Sequence, residues 1–493
     1  MNFQPIDDIF YIPFMSKRTK IVCTIGPASE SEETILNLVN AGMNVARLNF
    51  SHGTHENHAQ IIQRIRAVEK STREPIAILQ DVQGPKIRVG LLRETGWLLK
   101  DGETVNFETD PKAYSAENIP IDFIDLYRLV KKGERLLLAD GKIETQIIAV
   151  SGTTISAKII VGGQILSHQG INVPDSLLIV PTLTNKDKDD IRFAVEHGVD
   201  YIALSFVTKA DDILNARYYI KQCETELSLA TQEPINLIAK IERKEAVDNI
   251  KEIIATADAI MIARGDLGIE MPPEEVPLIQ KQLIDYARKA GKPVIVATQM
   301  LDSMQVNPRP TRAEVSDVAN AVIDHTDAVM LSNETAIGKY PVDAVTAMSR
   351  VIKETEASVY DNVPLPEFGE KNSKVDEVVS ALSRLLAEDV SAKIILAASI
   401  TGETGRLISR YRPEIPIVVA TASERVLHQL NLSWGIIPFV LVPCQTIEEL
   451  INRSLLYLKK FNLAKSGDKI IVVSGEPVGQ AGHVNLLEVR EVF

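Results

Sequence analysis

The sequence predicts an α/β protein: a (β/α)8 TIM barrel with an inserted small β-barrel lid domain and a C-terminal α/β sheet domain. Three observations lead to this fold. Eight apolar runs of strand length alternate with helical sequence. The alternation stops between about Gly84 and Pro181, where short β-rich runs and glycine turns replace long helices. It resumes at Lys186, and after a linker rich in proline and charge at 362–371 the last 120 or so residues alternate again. Eight strand–helix units are what a closed barrel needs.

The eight barrel strands are predicted where an apolar run gives way to polar residues. They fall at 21–25, 44–51, 76–81, 200–206, 237–242, 259–266, 294–299 and 327–332. Ser31 is placed to cap the first helix, and the sequence from Lys186 reads as the start of another. In the last third of the chain, apolar runs at 392–398, 416–421 and 469–474 predict a separate α/β sheet domain.

These patterns divide the chain of 493 residues into four parts. Residues 1–17 are a short N-terminal extension to which we assign no function. The barrel takes 18–84 and 182–357, and the β-rich lid takes 85–181. Residues 358–493 form the C-terminal domain, which we expect to be regulatory. A chain this long is expected to fold as several domains.

Composition excludes several classes of protein. The formal net charge of −13 and the lack of a basic stripe argue against binding to nucleic acid. The three cysteines, Cys23, Cys223 and Cys444, are far apart, as in a protein of the reducing cytoplasm. We expect no membrane span, since no uncharged apolar run reaches about 18 residues, and the first fifteen residues do not read as a signal peptide.

Charged and polar side chains follow three neighbouring barrel strands. Lys240 and Glu242 end one strand, Gly265 and Asp266 follow the next, and Thr298 ends the third. Chemistry collects at the C-terminal ends of barrel strands, so these groups should converge there. Two carboxylates suit a Mg²⁺ ion whose coordination shell is completed by substrate oxygens. The alternatives are a surface ion pair between Lys240 and Glu242, and a helix-capping role for Asp266.

The second strand carries Arg47, Asn49 and Ser51 at every second position, so the three side chains should face the same way. Arg47 is suited to a phosphate. Asn49, Ser51 and Asp81 offer hard oxygens for a monovalent cation. The alternative is a hydrogen-bonded polar plug beneath the barrel mouth.

The chain resembles the pyruvate kinase family over nearly its whole length, from about Thr19 onwards. The most specific segment is 235–247, which contains Ala239-Lys240-Ile241-Glu242. Further segments follow in the family's order at 23–27, 47–52, 261–270, 297–304, 310–314 and 330–336. The resemblance implies transfer of the phosphoryl group of phosphoenolpyruvate to ADP, giving pyruvate and ATP.

The resemblance also implies roles for single residues. Glu242 and Asp266 would ligate Mg²⁺ (or Mn²⁺), and Arg47 and Lys240 would grip the transferring phosphoryl group. Lys240 would also stabilise the enolate of pyruvate, and Thr298 would lie near the path of its protonation. The N–H groups around Gly265 and Asp266 would hold the substrate carboxylate.

The nucleotide would contact the turn from Thr24 to Pro27, together with His52 and Arg88. The lid would close over the site and exclude water. The family is usually homotetrameric, which is the assembly we expect.

Lys86 departs from the sequence of many relatives. Relatives with Glu at this place generally require K⁺, and those with Lys generally do not. The lysine ammonium can supply the charge of the monovalent cation, so we expect activity without K⁺. The alternative is that Lys86 points into solvent while Asn49, Ser51 and Asp81 hold K⁺.

The C-terminal domain contains a loop that resembles the effector site of allosteric relatives. Ser399, Thr401, Gly402 and Thr404 follow an apolar strand and could cradle a phosphate. We expect a sugar-phosphate or nucleotide effector, with the stretch from Gly475 to Val484 closing over it. The alternative is a plain strand–helix turn.

Two other functions compete with phosphoryl transfer. A barrel lyase or aldolase acting on pyruvate would need no nucleotide subsite, which His52, Arg88 and the lid argue against. A non-enzymatic sensor of sugar phosphates would be expected to have lost at least one of the residues that carry the chemistry. All are present: Arg47, Lys240, Glu242, Asp266 and Thr298.

Overall fold

The structure is a computed structural model. It describes residues 17–176, 183–229, 233–364, 374–475 and 484–493. The N-terminal extension before Lys17 lies outside the described residues. So do the predicted boundary between lid and barrel at 181/182, most of the proline-rich linker and the centre of the stretch expected to close over an effector.

The strands alternate with helices in the barrel and in the C-terminal domain. In chain order the strands are β1 (Lys20–Thr24), β2 (Val45–Asn49), β3 (Ala77–Asp81), β4 (Trp97–Leu99), β5 (Thr104–Glu108), β6 (Ile119–Pro120), β7 (Arg135–Leu138), β8 (Ile143–Ser151), β9 (Thr154–Val161), β10 (Gly163–Ile165), β11 (Ile171–Asn172), β12 (Tyr201–Leu204), β13 (Asn236–Ile241), β14 (Ala259–Ala263), β15 (Val294–Ala297), β16 (Ala328–Leu331), β17 (Ile394–Ala398), β18 (Ile417–Thr421), β19 (Ile436–Val440), β20 (Lys469–Ser474) and β21 (Leu486–Glu491).

The helices follow the same numbering in chain order. They are α1 (Glu32–Ala41), α2 (His55–Thr72), α3 (Leu126–Leu129), α4 (Asn185–Glu196), α5 (Ala210–Glu226), α6 (Lys244–Asp248), α7 (Ile250–Thr256), α8 (Arg264–Glu270), α9 (Val276–Lys289), α10 (Arg312–Ile323), α11 (Asn333–Ala336), α12 (Pro341–Glu356), α13 (Val375–Asp389), α14 (Glu403–Ser409), α15 (Glu424–Leu430) and α16 (Ile447–Lys460). Ser31 caps α1 as predicted, accepting a hydrogen bond from the Thr34 N–H.

The predicted barrel is confirmed. Its strands close in the order β1-β16-β15-β14-β13-β12-β3-β2, and all neighbouring pairs are parallel. Strands buried on both faces explain the nearly continuous apolar runs of the sequence. The strands end earlier than those runs suggest. In particular β2 ends at Asn49, so Ser51 lies in the following turn and not on the strand with Arg47.

The inserted lid is a small barrel-like domain with its own hydrophobic core. A six-stranded sheet runs in the order β11-β7-β8-β9-β5-β6, beside a two-stranded sheet of β10 and β4. Single bridges from Arg88 to Gly170 and from Val89 to Ile121 join the two edges of the larger sheet. The segment at Arg88 and Val89 thus closes the lid and also leads the chain out of the barrel.

The C-terminal domain contains a five-stranded sheet in the order β19-β18-β17-β20-β21. The sequence predicted β17, β18 and β20. It missed β19, which contains Pro438, and the antiparallel β21. An edge position tolerates a strand proline, because an edge strand can leave one ladder bond unmade.

This domain sits under the N-terminal ends of the barrel strands. Leu432 is fully buried with the side chains that fill the inside of the barrel. Asn431 donates to the Asn44 carbonyl at 2.9 Å, and the Tyr201 hydroxyl donates to the Gln429 carbonyl at 2.5 Å. The closed lower end leaves the upper end, where the strands finish, for chemistry. No helix in the described ranges is long and apolar enough to cross a bilayer.

Candidate active site

Lys240 is the centre of a buried charge cluster at the upper end of the barrel. Its Nζ lies 2.7 Å from Glu242 Oε1 and 3.2 Å from Asp81 Oδ1. It also donates to Ser205 Oγ at 2.7 Å. The side chain of Lys240 is only 12% exposed and that of Glu242 3%, so the pair is not the surface ion pair of the alternative interpretation.

Lys240 and Asp81 keep their charges despite burial. Burial alone would lower the pKa of Lys240, but Asp81 and Glu242 outweigh it and hold the pKa above its ordinary value. Burial alone would raise the pKa of Asp81, but Lys240 and Arg47 hold it below its ordinary value. Lys240 is therefore a fixed cation at any physiological pH.

Arg47 provides the second cation from β2. Its Nε donates to Asp81 Oδ2 at 2.8 Å, and its Nη1 donates to Thr24 Oγ1 at 2.7 Å. Thr24 itself is buried, 4% exposed, beneath the guanidinium. Asp81 thus holds Arg47 and Lys240 on its two oxygens, which places two positive charges side by side at the barrel mouth.

Glu242 and Asp266 fit a divalent cation. Burial raises the pKa of Glu242, Lys240 opposes this, and the negative charge of Asp266 raises it further. A buried carboxylate beside a second negative charge gains stability from a shared cation, and hard oxygens are the ligands that Mg²⁺ prefers. No cluster of three or more metal-ligating side chains occurs among the described residues, so substrate oxygens would have to complete the shell.

Asp266 does not cap its helix. The cap position of α8 is Ala263, and Asp266 lies in the first turn of the helix. The capping alternative for Asp266 is therefore wrong, and its carboxylate is free of that structural role.

Thr298 adopts a backbone conformation that β-branched residues rarely take, with φ of +71°, followed by Gln299 at +55°. Its hydroxyl accepts a hydrogen bond from the Gly265 N–H at 2.8 Å and donates to the Ala297 carbonyl at 2.6 Å. Strained backbone of this kind concentrates at functional sites. Thr298 and the Gly265 N–H, which the resemblance gives separate roles, are therefore in direct contact.

A cleft of about 710 Å³ opens above these groups, between the barrel mouth and the lid. Its lining includes most of the residues predicted from the sequence: Arg47, Asn49, Ser51, His52, Asp81, Lys86, Arg88, Lys240, Glu242 and Asp266. Four predicted active-site residues are not in this lining: Thr24, Pro27, Gly265 and Thr298. A nucleotide in the cleft would reach Thr24 and Pro27 only from its edge.

Two of the three residues predicted to bind a monovalent cation, Asn49 and Asp81, already use their side-chain oxygens. Asn49 Oδ1 accepts from the Ser51 N–H at 3.1 Å, and both Asp81 oxygens face cations. Lys86 points across the cleft to the lid, with its Nζ 3.7 Å from Asp140 Oδ1 and its side chain 25% exposed. It does not extend freely into solvent.

Some residues of the cleft were not found from the sequence. Ser205 and Phe206 of the barrel and Asp140, Lys142 and His168 of the lid all line it. Ser205 positions Lys240, and the Phe206 N–H donates to Glu242 Oε2 at 2.8 Å from a residue with φ of +57°. The lid residues lie on a separate domain, and no sequence pattern links them to the barrel mouth.

A second cavity of about 300 Å³ lies in the C-terminal domain, above the turn from β17 to α14. Ser399, Thr401 and Thr404 line it, and Ser399 Oγ accepts from the Thr404 N–H at 3.3 Å. Gly402 caps α14 with φ of +79°, which shapes the turn without lining the cavity. The remaining lining is largely apolar, from side chains such as Ile400, Leu441 and Val442.

Comparison with known proteins assigns the family. The model of the pyruvate kinase barrel domain matches residues 16–345, and that of the pyruvate kinase alpha/beta domain matches residues 377–490. The chain belongs to the pyruvate kinase family. It is thus an enzyme, a phosphotransferase of the pyruvate kinase type.

Individual pyruvate kinases are similar over almost the whole chain. That of Agrobacterium vitis is 42% identical over 480 residues, 97% of this chain and 98% of the relative. That of Sporosarcina psychrophila is 41% identical over 97% of this chain and 80% of the longer relative. The crystal structure of a pyruvate kinase from Cryptosporidium parvum superposes with a TM-score of 0.89 at 38% identity, covering 97% of both chains.

Proposed function

We propose that this chain transfers the phosphoryl group of phosphoenolpyruvate to ADP. The observation that carries the proposal is the arrangement of Lys240 and Arg47 on the two oxygens of Asp81, beneath a cleft closed by the lid. Two fixed cations beside a carboxylate pair suit a substrate with several negative charges. Phosphoryl transfer depends on such positioning and charge stabilisation.

In the proposed reaction the bond between the phosphorus and the enol oxygen breaks, and a β-phosphate oxygen of ADP forms the new bond. Arg47 and Lys240 hold the equatorial oxygens of the transferring group. Lys240 then faces the enolate oxygen that the phosphoryl group leaves behind. Mg²⁺ (or Mn²⁺) at Glu242 and Asp266 supplies Lewis-acid polarisation when bound.

The enolate becomes pyruvate by taking a proton at its methylene carbon. We place Thr298 beside that proton path. The substrate carboxylate accepts from the N–H groups of Gly265 and Asp266. Because the Gly265 N–H now donates to Thr298 Oγ1, substrate binding has to share or replace that bond. Substrate and the Thr298 hydroxyl are thereby brought into contact.

The nucleotide occupies the side of the cleft formed by His52 and Arg88, with the turn from Thr24 to Pro27 at its edge. His52 is held by its carbonyl, which accepts from His58 Nε2 at 2.9 Å. Arg88 donates to the His168 carbonyl at 2.9 Å, so lid and nucleotide subsite are connected. A homotetrameric assembly and a cytoplasmic location are further parts of this proposal, on the family's precedent.

Activity is expected with and without K⁺, because the ammonium of Lys86 lines the same cleft as the predicted cation oxygens and can supply a positive charge there. The measurement is coupled turnover of phosphoenolpyruvate with ADP and Mg²⁺, in buffers with and without K⁺ at constant ionic strength. Lys86→Glu should make turnover K⁺-dependent by at least about tenfold, as expected when one compensating charge near the site is removed.

Exposed Lys100 in the lid gives the matched control, and Lys100→Glu should behave as the unchanged chain. A large activation of the unchanged chain by KCl would contradict the role of Lys86 and leave the kinase assignment intact. No ADP-dependent loss of phosphoenolpyruvate in any buffer would contradict the kinase itself. Carbon–carbon cleavage would favour the lyase, and binding of sugar phosphates without turnover would favour the sensor.

We also propose that the cavity of the C-terminal domain binds a phosphorylated effector, a sugar phosphate or a nucleotide. A panel of both, titrated into the assay at low phosphoenolpyruvate, should contain a compound that changes the half-saturating substrate concentration severalfold. The double variant Ser399→Ala with Thr404→Val removes two hydroxyls. It should weaken the binding of that compound by about tenfold or more, since each lost hydrogen bond to a charged group costs about 1.5–3 kcal/mol.

Basal turnover should not change in this double variant, because the cavity is remote from Lys240. Ser391→Ala, at an exposed turn of the same domain, is the control. An effect that survives the double variant would place the effector elsewhere.

A further inference from the structure

A small crevice between the barrel and the C-terminal domain is crowded with positive charge. Five cationic side chains line it: Arg288, Lys292, Arg406, Arg410 and Arg412. The first two come from the barrel, from α9 and the turn before β15. The others come from α14 and the residues that follow it. In the described lining the single carboxylate is that of Asp327.

The carboxylate of Asp327 is already committed. It accepts from the Trp434 N–H at 3.0 Å, the Val294 N–H at 3.2 Å and Arg412 Nη2 at 3.1 Å. Arg412 is 3% exposed, and its burial lowers its pKa despite Asp327. Burial likewise lowers the pKa of Lys292. Two carboxylates outside the lining also face it, since Asp285 lies 3.0 Å from Arg288 and Glu377 lies 3.7 Å from Arg410. Five cations thus face three carboxylates, and positive charge remains in excess.

Three buried polar atoms of the lining residues point to the missing partner. Arg410 Nε, Arg412 Nε and Ser433 Oγ have no hydrogen-bond partner within the described part of the chain. Ser433 is 1% exposed and Arg410 8%. Both arginines are fixed by their other nitrogens, Arg410 on the Lys289 carbonyl at 3.0 Å and Arg412 on the Ser409 carbonyl at 2.9 Å. Buried N–H groups without acceptors are costly and therefore rare.

We propose that this crevice binds one small inorganic anion of the halide class. The cavity measures about 10 Å³, which is room for one water-sized body. A halide is somewhat larger and enters with a small outward shift of the lining side chains, whereas a phosphate needs a much larger one. An anion there would accept from the orphan donors and offset the positive charge that Asp285, Asp327 and Glu377 leave unbalanced. Since barrel and C-terminal domain both supply cations, the bound anion would favour the docked arrangement of the two domains.

The test uses the full chain, dialysed into sodium gluconate and then titrated with sodium chloride at constant ionic strength. The thermal unfolding midpoint should rise by about 2–4 °C and saturate, as ligand linkage predicts for a domain of this size. Lys292→Gln should lose most of this rise. In gluconate it should be at least as stable as the unchanged chain, because a repulsive charge has been removed. Crystals grown with bromide should show an anomalous peak within hydrogen-bond distance of Arg410 Nε and Arg412 Nε.

Lys289→Gln is the matched control: Lys289 ends α9 close by, is 67% exposed and pairs with Asp285 outside the crevice, so it should keep the full rise. An equal rise in Lys292→Gln would place the ion elsewhere and overturn the proposal. If Lys292→Gln were destabilised equally in gluconate and in chloride, Lys292 would have a structural role only, and the proposal would be overturned. A bromide peak without a chloride effect in solution would mean binding at crystal concentration only, and a rise with phosphate alone would exclude the halide.

Discussion

Lys240→Met is expected to lower turnover of phosphoenolpyruvate by on the order of 10³-fold, with the chain still folded. The loss is large because the same ammonium faces the transferring phosphoryl group and the enolate oxygen, and removal of one such donor already costs 10²–10³-fold. The barrel should stay folded because Asp81 still pairs with Arg47, and Glu242 still accepts a hydrogen bond from the Phe206 N–H. Steady-state kinetics and thermal unfolding, both with Mg²⁺, measure the two effects.

Lys186→Met is the matched control for this prediction. Lys186 also lies near the upper end of the barrel and pairs with a buried carboxylate, with its Nζ 2.6 Å from Asp190 Oδ2, but it does not line the cleft. Its variant should keep turnover within a few-fold of the unchanged chain. A Lys240→Met enzyme that retained a tenth of the original turnover would overturn the assignment of the site.

The barrel could be predicted because its strands leave a signal in the sequence. Each is an apolar run buried on both faces, and each ends in polar residues that have no place in a core. That rule predicted that Lys240, Glu242 and Asp266 lie at one end of the barrel. The same rule overextended the second strand to Ser51, because polar residues that face a cleft continue the alternation after the strand ladder has ended.

The contacts between domains could not be predicted, because nothing in one domain's pattern depends on the other. Asp140 meets Lys86 only after the lid has folded, and Leu432 enters the barrel only after the C-terminal domain has docked. The backbone of Thr298 is a similar case. A threonine after an apolar run reads as a strand end, and its positive φ follows from the packing around it. The resemblance supplied the role of Thr298, and the residues alone did not.

One such contact between domains should dominate the pH dependence of stability. His428 of α15 lies between two carboxylates of the barrel, with its Nδ1 3.1 Å from Asp200 Oδ1 and its Nε2 2.6 Å from Glu69 Oε1. Arg66 also faces this pair, donating to Glu69 and Asp200 at 2.8 and 3.0 Å. Burial alone would lower the pKa of His428, but Asp200 and Glu69 outweigh burial and the charge of Arg66 and raise the pKa to about 9.

His428→Gln is therefore expected to cost roughly 3 kcal/mol of unfolding free energy at pH 6, since a shift from about 6.5 to about 9 corresponds to that amount. Because the pKa of His428 is raised on folding, its charge contributes its full stabilisation at pH values below the unfolded-state pKa of about 6.5. That stabilisation is lost as pH rises through about 9. The difference in urea unfolding between the unchanged chain and the variant should thus be largest at pH 6 and shrink steadily from pH 6.5 to pH 9.

His197→Gln is the control, because the ring of His197 contacts the Phe193 carbonyl at 3.0 Å and no carboxylate in the described structure. Its effect on unfolding should lack the steady decline from pH 6.5 to pH 9 that is expected for His428→Gln. Lys17, whose burial lowers its pKa to about 8, titrates in the same window in both chains and cancels from the difference. A His428→Gln effect that was equal at pH 6 and pH 9 would mean that His428 holds the domains by packing alone, without its charge.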